Sequence, residues 1–224
     1  MRMPFMHLPL RMTVIRIGEA LWVHSPVELS DELAREVDEL GRVAWIVGPN
    51  SFHHLRLRPW RERWPQAELW AAPGLEVKRS DLAFTGVLPT AIPTQWSGHI
   101  EAVALEGAPK LGEVVFFHVP SRSLVCTDLV FNIQNPRGWA VWPILKLMGT
   151  YKRFAASSFW KLLAKDRARL AASIERVLAW DIERIVMAHG EIVDTEAHRR
   201  LADALAWMRE GRERAPGDDP TRRA

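Results

Sequence analysis

The chain has almost no cysteine. With one, Cys126, in 224 residues, an intramolecular disulfide is excluded, and its place inside an apolar run marks a small buried hydrophobe rather than a reactive thiol. Long apolar runs are also missing. No stretch reaches the roughly 20 residues that a membrane-spanning helix needs, so no transmembrane segment is expected. Residues 1–12 mix Met, Pro and Leu with Arg2 and Arg11, too short and interrupted a pattern for a signal peptide, and a cytoplasmic location is expected. Charge of one sign is lacking too. Thirty Lys and Arg against 27 Asp and Glu leave a net charge of +3, spread too thinly to steer a nucleic acid, and no such partner is expected.

What is present suits one globular domain. Hydrophobic residues make up 48% and charged ones 25%, which excludes extensive disorder. A chain of this length buries roughly 70% of its unfolded surface. The expected organisation is an N-terminal extension over residues 1–12, a single domain over 13–208 and a disordered polar tail over 209–224. Alternating β-branched and aromatic residues around Gly18-Glu19 predict a hairpin over 13–24. Ser30 and Asp31 open a helix that Gly41 closes. Strands are expected at 43–47, 67–71, 99–105, 113–119, 123–128 and 183–187, with helices at 55–64, at 157–180 and at 195–208. The turn Pro120-Ser121-Arg122 implies antiparallel pairing of the strands on either side. Strand-rich halves flanked by helices predict a layered α/β architecture with sheet packed on sheet.

Three of these strands stop at residues able to bind a metal. The apolar run before Gly48 leads into Pro49-Asn50-Ser51-Phe52-His53-His54; Val125-Cys126-Thr127 leads to Asp128; and Ile185-Val186-Met187-Ala188 leads to His189-Gly190. Ligands gather at the carboxyl ends of strands, and imidazole with carboxylate suits zinc, iron or manganese. Each has a plainer role as well. Paired histidines can cap a helix start, Asp128 can serve a turn, and His189-Gly190 can be a strand-end turn that needs glycine.

This order of elements, together with Phe116-Phe117-His118 and Thr127-Asp128-Leu129-Val130-Phe131-Asn132, resembles the metallo-β-lactamase-like superfamily. Within it the chain is similar to an uncharacterised family of unknown function with a degenerate metal motif. The resemblance spans about residues 13–209 and implies a four-layer αββα sandwich. Superfamily hydrolases carry His-x-His-x-Asp-His after a strand. With its last His on His54, Pro49 and Ser51 stand at the first two His positions and His53 at the Asp position. The next superfamily His would fall within residues 107–112, where Ala108, Pro109 and Lys110 offer no imidazole. Asp128 matches the bridging Asp and His189 the late His. The resemblance therefore implies loss of one metal position and retention of the other, with His53, His54, Asp128 and His189 as ligands of one divalent metal, zinc first, iron or manganese otherwise.

One ion would have to polarise the substrate and activate water alone. A neighbouring base would help, and His118, on the strand adjacent to that of Asp128, is the first candidate as catalytic base or as partner to a ligand, with His24 and Glu101 behind it. Asp128 is the other expected catalytic residue. Ser25 and Ser51 show no triad around them, while Asn50 suits either a ligand contact or a turn. Trp139, Trp142 and Trp160 cluster between Asp128 and His189, as core filling, an apolar lid or a homodimer interface. Two functions stay open: a metallo-hydrolase acting on an unidentified small-molecule ester, amide or phosphoester, and a catalytically inactive member of the fold that binds a ligand or partner in the old cleft.

Overall fold

A computed structural model describes residues 2–3 and 6–210; the expected tail beyond residue 210 lies outside the described residues. In chain order the elements are β1 (Arg2–Met3), β2 (Met6–His7), β3 (Thr13–Ile17), β4 (Ala20–His24), α1 (Asp31–Leu40), β5 (Arg42–Gly48), α2 (Leu57–Arg63), β6 (Glu68–Ala71), α3 (Leu75–Lys78) and β7 (Gly86–Val87). The second half supplies β8 (Ile100–Ala104), β9 (Val114–His118), β10 (Ser123–Cys126), α4 (Val141–Leu147), α5 (Phe159–Leu163), α6 (Arg167–Leu178), β11 (Arg184–Met187) and α7 (Ala197–Arg209).

Two sheets result. The first runs β3-β4-β5-β6-β7 and the second β11-β10-β9-β8. β3 and β4 form the hairpin, whereas β4-β5, β5-β6 and β6-β7 are parallel. In the second sheet β8-β9 and β9-β10 are antiparallel and β10-β11 parallel.

Period-two alternation sends opposite faces of each strand into different cores. Trp22 of β4, Trp45 of β5, Val114 and Phe116 of β9 and Val125 of β10 meet between the sheets. Leu21 and Val23 of the same β4 turn outward onto Val37 of α1 and Trp60 of α2. Val115 and Phe117 of β9 turn the other way, onto Ile174 of α6 and Leu201 of α7. Helix, sheet, sheet and helix thus stack as four layers. No helix among the described residues is long and apolar enough to cross a membrane.

The helix expected over 157–180 is two helices. After α5 the chain is extended at Ala164, and Asp166 restarts a helix by accepting a hydrogen bond from the Arg169 amide at 2.9 Å. The Lys165 and Asp166 amides donate instead to the Gly107 carbonyl, at 2.8 and 3.1 Å. A capping residue inside an apolar periodicity divides it, because its side chain supplies the acceptor that starts a new first turn.

Candidate metal centre

Parallel pairing brings the carboxyl ends of β4, β5, β10 and β11 to one rim. Beyond β5, the Asn50 side-chain oxygen accepts from the amides of Phe52 and His53, both at 2.8 Å, closing a tight turn that aims His53 inward. Asn50 Nδ2 donates to Asp128 Oδ2 at 2.7 Å and to Thr127 Oγ1 at 2.9 Å. The turn residue of the first sheet therefore holds the carboxylate of the second. Beneath them Glu113, fully buried, accepts from the Thr127 amide and hydroxyl at 2.7 and 2.8 Å and from the Asp128 amide at 3.0 Å.

The convergence is close. His53 Nε2 lies 3.2 Å from His189 Nε2 and 3.5 Å from Asp128 Oδ2, and His189 Nε2 lies 3.4 Å from Asp128 Oδ1. Their side chains are 7, 11 and 17% exposed for His53, His189 and Asp128, so the group is nearly closed yet reachable. Donors held at about 2.0–2.1 Å in a tetrahedral zinc site lie about 3.3–3.4 Å from one another. The separation of the two imidazole nitrogens is close to that spacing, and each faces a different Asp128 oxygen at a similar distance.

Both imidazoles are tethered through their other nitrogen. His189 Nδ1 faces the Pro9 carbonyl at 2.8 Å, and His53 Nδ1 faces the Ser25 hydroxyl at 2.7 Å. A carbonyl only accepts, so His189 carries its proton on Nδ1 and turns an Nε2 lone pair toward the group. Phe131 lies flat on the His189 ring, with centroids 5.1 Å apart and planes inclined by 3°. Burial works to raise the Asp128 pKa, but the facing His53 and His189 outweigh it and hold the carboxyl below its ordinary range. Burial, then the charge of Asp128, pushes Glu113 up to about 8.

Of the four ligands expected, His53, Asp128 and His189 come together and His54 does not. Its Nδ1 faces Arg79 Nη1 at 3.2 Å, and Arg79 also donates to the His54 carbonyl at 2.8 Å. Burial, then Lys78 and Arg79, lowers its pKa; cations on that side disfavour a further one. The turn that points His53 inward sends its neighbour out. His118 is a second correction. It pairs with Ser123, at the start of β10, because β9 runs antiparallel to β10, and its Nδ1 meets the Ser121 hydroxyl at 2.6 Å. It therefore stands at the opposite end of the strand from Asp128 and cannot serve it as a base. His24 is buried against Trp22 with centroids 5.5 Å apart, and Glu101 accepts from Trp180 Nε1 at 2.7 Å.

Ser25, weighed from the sequence only as a triad serine, instead positions His53, and Glu113 and the Pro9 carbonyl join the site unforeseen. A lone carboxylate opening an apolar strand was the available signal for Glu113; nothing local announces a backbone carbonyl 180 residues from its partner.

A family model described as "Domain of unknown function (DUF4336)" matches residues 3–149. The chain belongs to that family. The matched stretch of this DUF4336 protein contains His53 and Asp128 and ends before His189. No curated protein sequence matches the chain. Among solved structures it is similar to the chemotaxis sensor ODP in its peroxy diiron state (11% identity, 90% of this chain and 87% of that one, TM-score 0.61). It is also similar to a metallo-β-lactamase from Pontibacter korlensis (15%, 89% and 88%, 0.60). A third is the metal-soaked flavodiiron core of Flv1 from Synechocystis (12%, 89% and 52%, 0.59). At such identities the likeness concerns the fold, and the DUF4336 chain has the metallo-β-lactamase fold.

Proposed function

We propose that this protein is a metallo-hydrolase with a single divalent ion held by His53, Asp128 and His189, acting on an ester, amide or phosphoester. The observation that carries the proposal is the meeting of three donors from three remote segments, with each imidazole already fixed through its other nitrogen. When bound, such an ion supplies Lewis acidity to the electrophilic centre and to water.

The chain's own residues divide the remaining work. Ser25 and Pro9 orient the two imidazoles, and Asn50 and Glu113 hold Asp128 from its side chain and its amide. Such supporting contacts keep a donor set in place. Phe131 and Trp160, whose indole donates to the Asp128 carbonyl at 2.9 Å, flank the donors. Hydrolysis adds one water across the bond: an ester gives acid and alcohol, an amide acid and amine, and a phosphoester phosphate and alcohol. The solved neighbours include a β-lactamase and diiron proteins, so zinc and iron are the first ions to test.

Elemental analysis of protein purified without added metal is expected to find about one equivalent of transition metal, lost in His53→Ala and in His189→Ala. Retention of that equivalent in both variants would count against the site. A metal-free, folded protein indifferent to chelators and to added zinc or iron would favour the non-catalytic alternative instead.

A further inference from the structure

A cavity of about 180 Å³ opens beside the three donors, and Asp128 is one of its walls. The others are almost wholly apolar: Leu111, Phe131, Met148, Trp160 and Leu163. The polar atoms at its edge are engaged. The Ser157 hydroxyl accepts from the Phe159 amide at 3.1 Å, and the Trp160 indole nitrogen is bonded to the Asp128 carbonyl. Phe52 and Phe159, 55 and 49% exposed, complete the lining and stand where it meets solvent.

Such walls offer a ligand no charge complement apart from Asp128, which faces the two imidazoles. A polar or ionic substituent entering the cavity would lose its hydration and meet few replacement partners. An apolar group gains by the same transfer. Size narrows the choice. An apolar cavity of about 150 Å³ accepts benzene, so this one suits a single aromatic ring or a short acyl chain and excludes a long chain or a fused polycycle. The groove beside His118 is larger, about 580 Å³, but contains none of the three donors and is lined by Arg16 and Arg184.

We infer that the cavity walled by Asp128, Phe131, Trp160 and Leu163 binds a compact apolar group, one ring or a short acyl chain, carried by the ligand of the metal centre. As a statement of substrate class this rests on the hydrolase proposal above. As a binding site it stands on the cavity alone. The apolar group would sit against Asp128, the one donor that walls the cavity, so the bond that reacts lies close to that group.

Benzyl alcohol and ethanol serve as probes, titrated against the full chain by protein-observed NMR, with ion content measured on the same samples. Benzyl alcohol is expected to give saturable shifts at Met148 and Trp160, with ethanol giving none. Leu163→Trp, which fills the cavity, is expected to weaken benzyl alcohol by roughly tenfold or more while leaving the ion content unchanged. Met148→Trp, filling it from another wall, replaces that variant if the first does not fold. A folded wild-type protein without saturable binding, or filled variants that bind as before, would overturn the inference. Absence of the ion from samples that bind benzyl alcohol would instead strike the hydrolase proposal and leave the cavity assignment standing.

Discussion

The proton on His53 decides what the three donors can hold. His189 turns a lone pair inward because Pro9 takes its Nδ1 proton, whereas the Ser25 hydroxyl can either accept from His53 Nδ1 or donate to it. Without an ion, two Nε2 atoms 3.2 Å apart need a proton between them, so His53 donates to His189 and Ser25 donates to His53. Were His53, Asp128 and His189 to hold an ion, His53 would carry its proton on Nδ1 and donate it to the Ser25 hydroxyl. Ser25 supports either state through one hydroxyl. Ser25→Ala keeps the cost of the left-handed backbone there, φ 54°, and isolates the hydroxyl; it is expected to weaken ion affinity by roughly 10- to 100-fold, read by competition with a chromophoric chelator. Unchanged affinity would show that the hydroxyl positions nothing. His24 gives a separate prediction at this scale. Burial first, then the neighbouring His53, lowers its pKa from 6.5 to about 3. The unfolded chain thus binds a proton that the folded one refuses, and the stability contributed by neutral His24 is present above 6.5 and lost as pH falls toward 3. The slope reaches roughly 1.4 kcal/mol per pH unit, and urea melts at successive pH values are expected to show it in the wild type and not in His24→Phe.

Among the elements, the turn after β11 is tightly constrained. Gly190 has φ 112°, and a Cβ there would stand 2.1 Å from the Asn132 carbonyl oxygen, which itself accepts from the Glu191 amide at 2.8 Å. The Asn132 amide donates in turn to the His189 carbonyl at 3.0 Å, so the contact that excludes a side chain at 190 also sets the direction of His189. Gly190→Ala is expected to cost more than about 2 kcal/mol in denaturant unfolding and to lower ion occupancy with it; full stability would remove this account of the turn. Elements of this kind were largely legible in the sequence. The hairpin, α1 with its Ser30 cap and Gly41 stop, and the strands ending at His53, Asp128 and His189 all follow from alternation, capping and turn chemistry, because those are local. Two expectations fail for local reasons. The antiparallel pairing of β9 and β10 was legible from the turn at 120–122, and that same pairing carries His118 to the end of the strand away from Asp128; the apolar face continuing from α5 into α6 concealed the Asp166 cap between them.

At the scale of the molecule the donor group spans the interface between the sheets. His53 follows β5 of the first sheet, whereas Asp128 and His189 follow β10 and β11 of the second. Spacing in the chain could not reveal this: the three are remote in sequence, and only the resemblance to a known superfamily placed them on one rim. It also placed His54 there, since a motif specifies positions and not the direction of each side chain in a turn. An ion bridging the sheets binds the folded state and not the unfolded one, so it stabilises by an amount set by concentration over Kd, about 4 kcal/mol at a thousandfold excess. For a chain of this size that is roughly 8–16 °C in Tm. Chelation is therefore expected to lower Tm by this order and zinc or iron to restore it. His53→Ala, on one sheet, and His189→Ala, on the other, are each expected to erase the chelator-sensitive part of Tm while the remainder persists, because the sheets are also joined by Trp22, Trp45, Trp96 and Phe116. That aromatic layer is the reason ion loss is expected to leave a folded protein. If both variants melted like the wild type with and without chelator, the sheets would be held by their apolar contacts alone and the three donors would have no structural ion to bind.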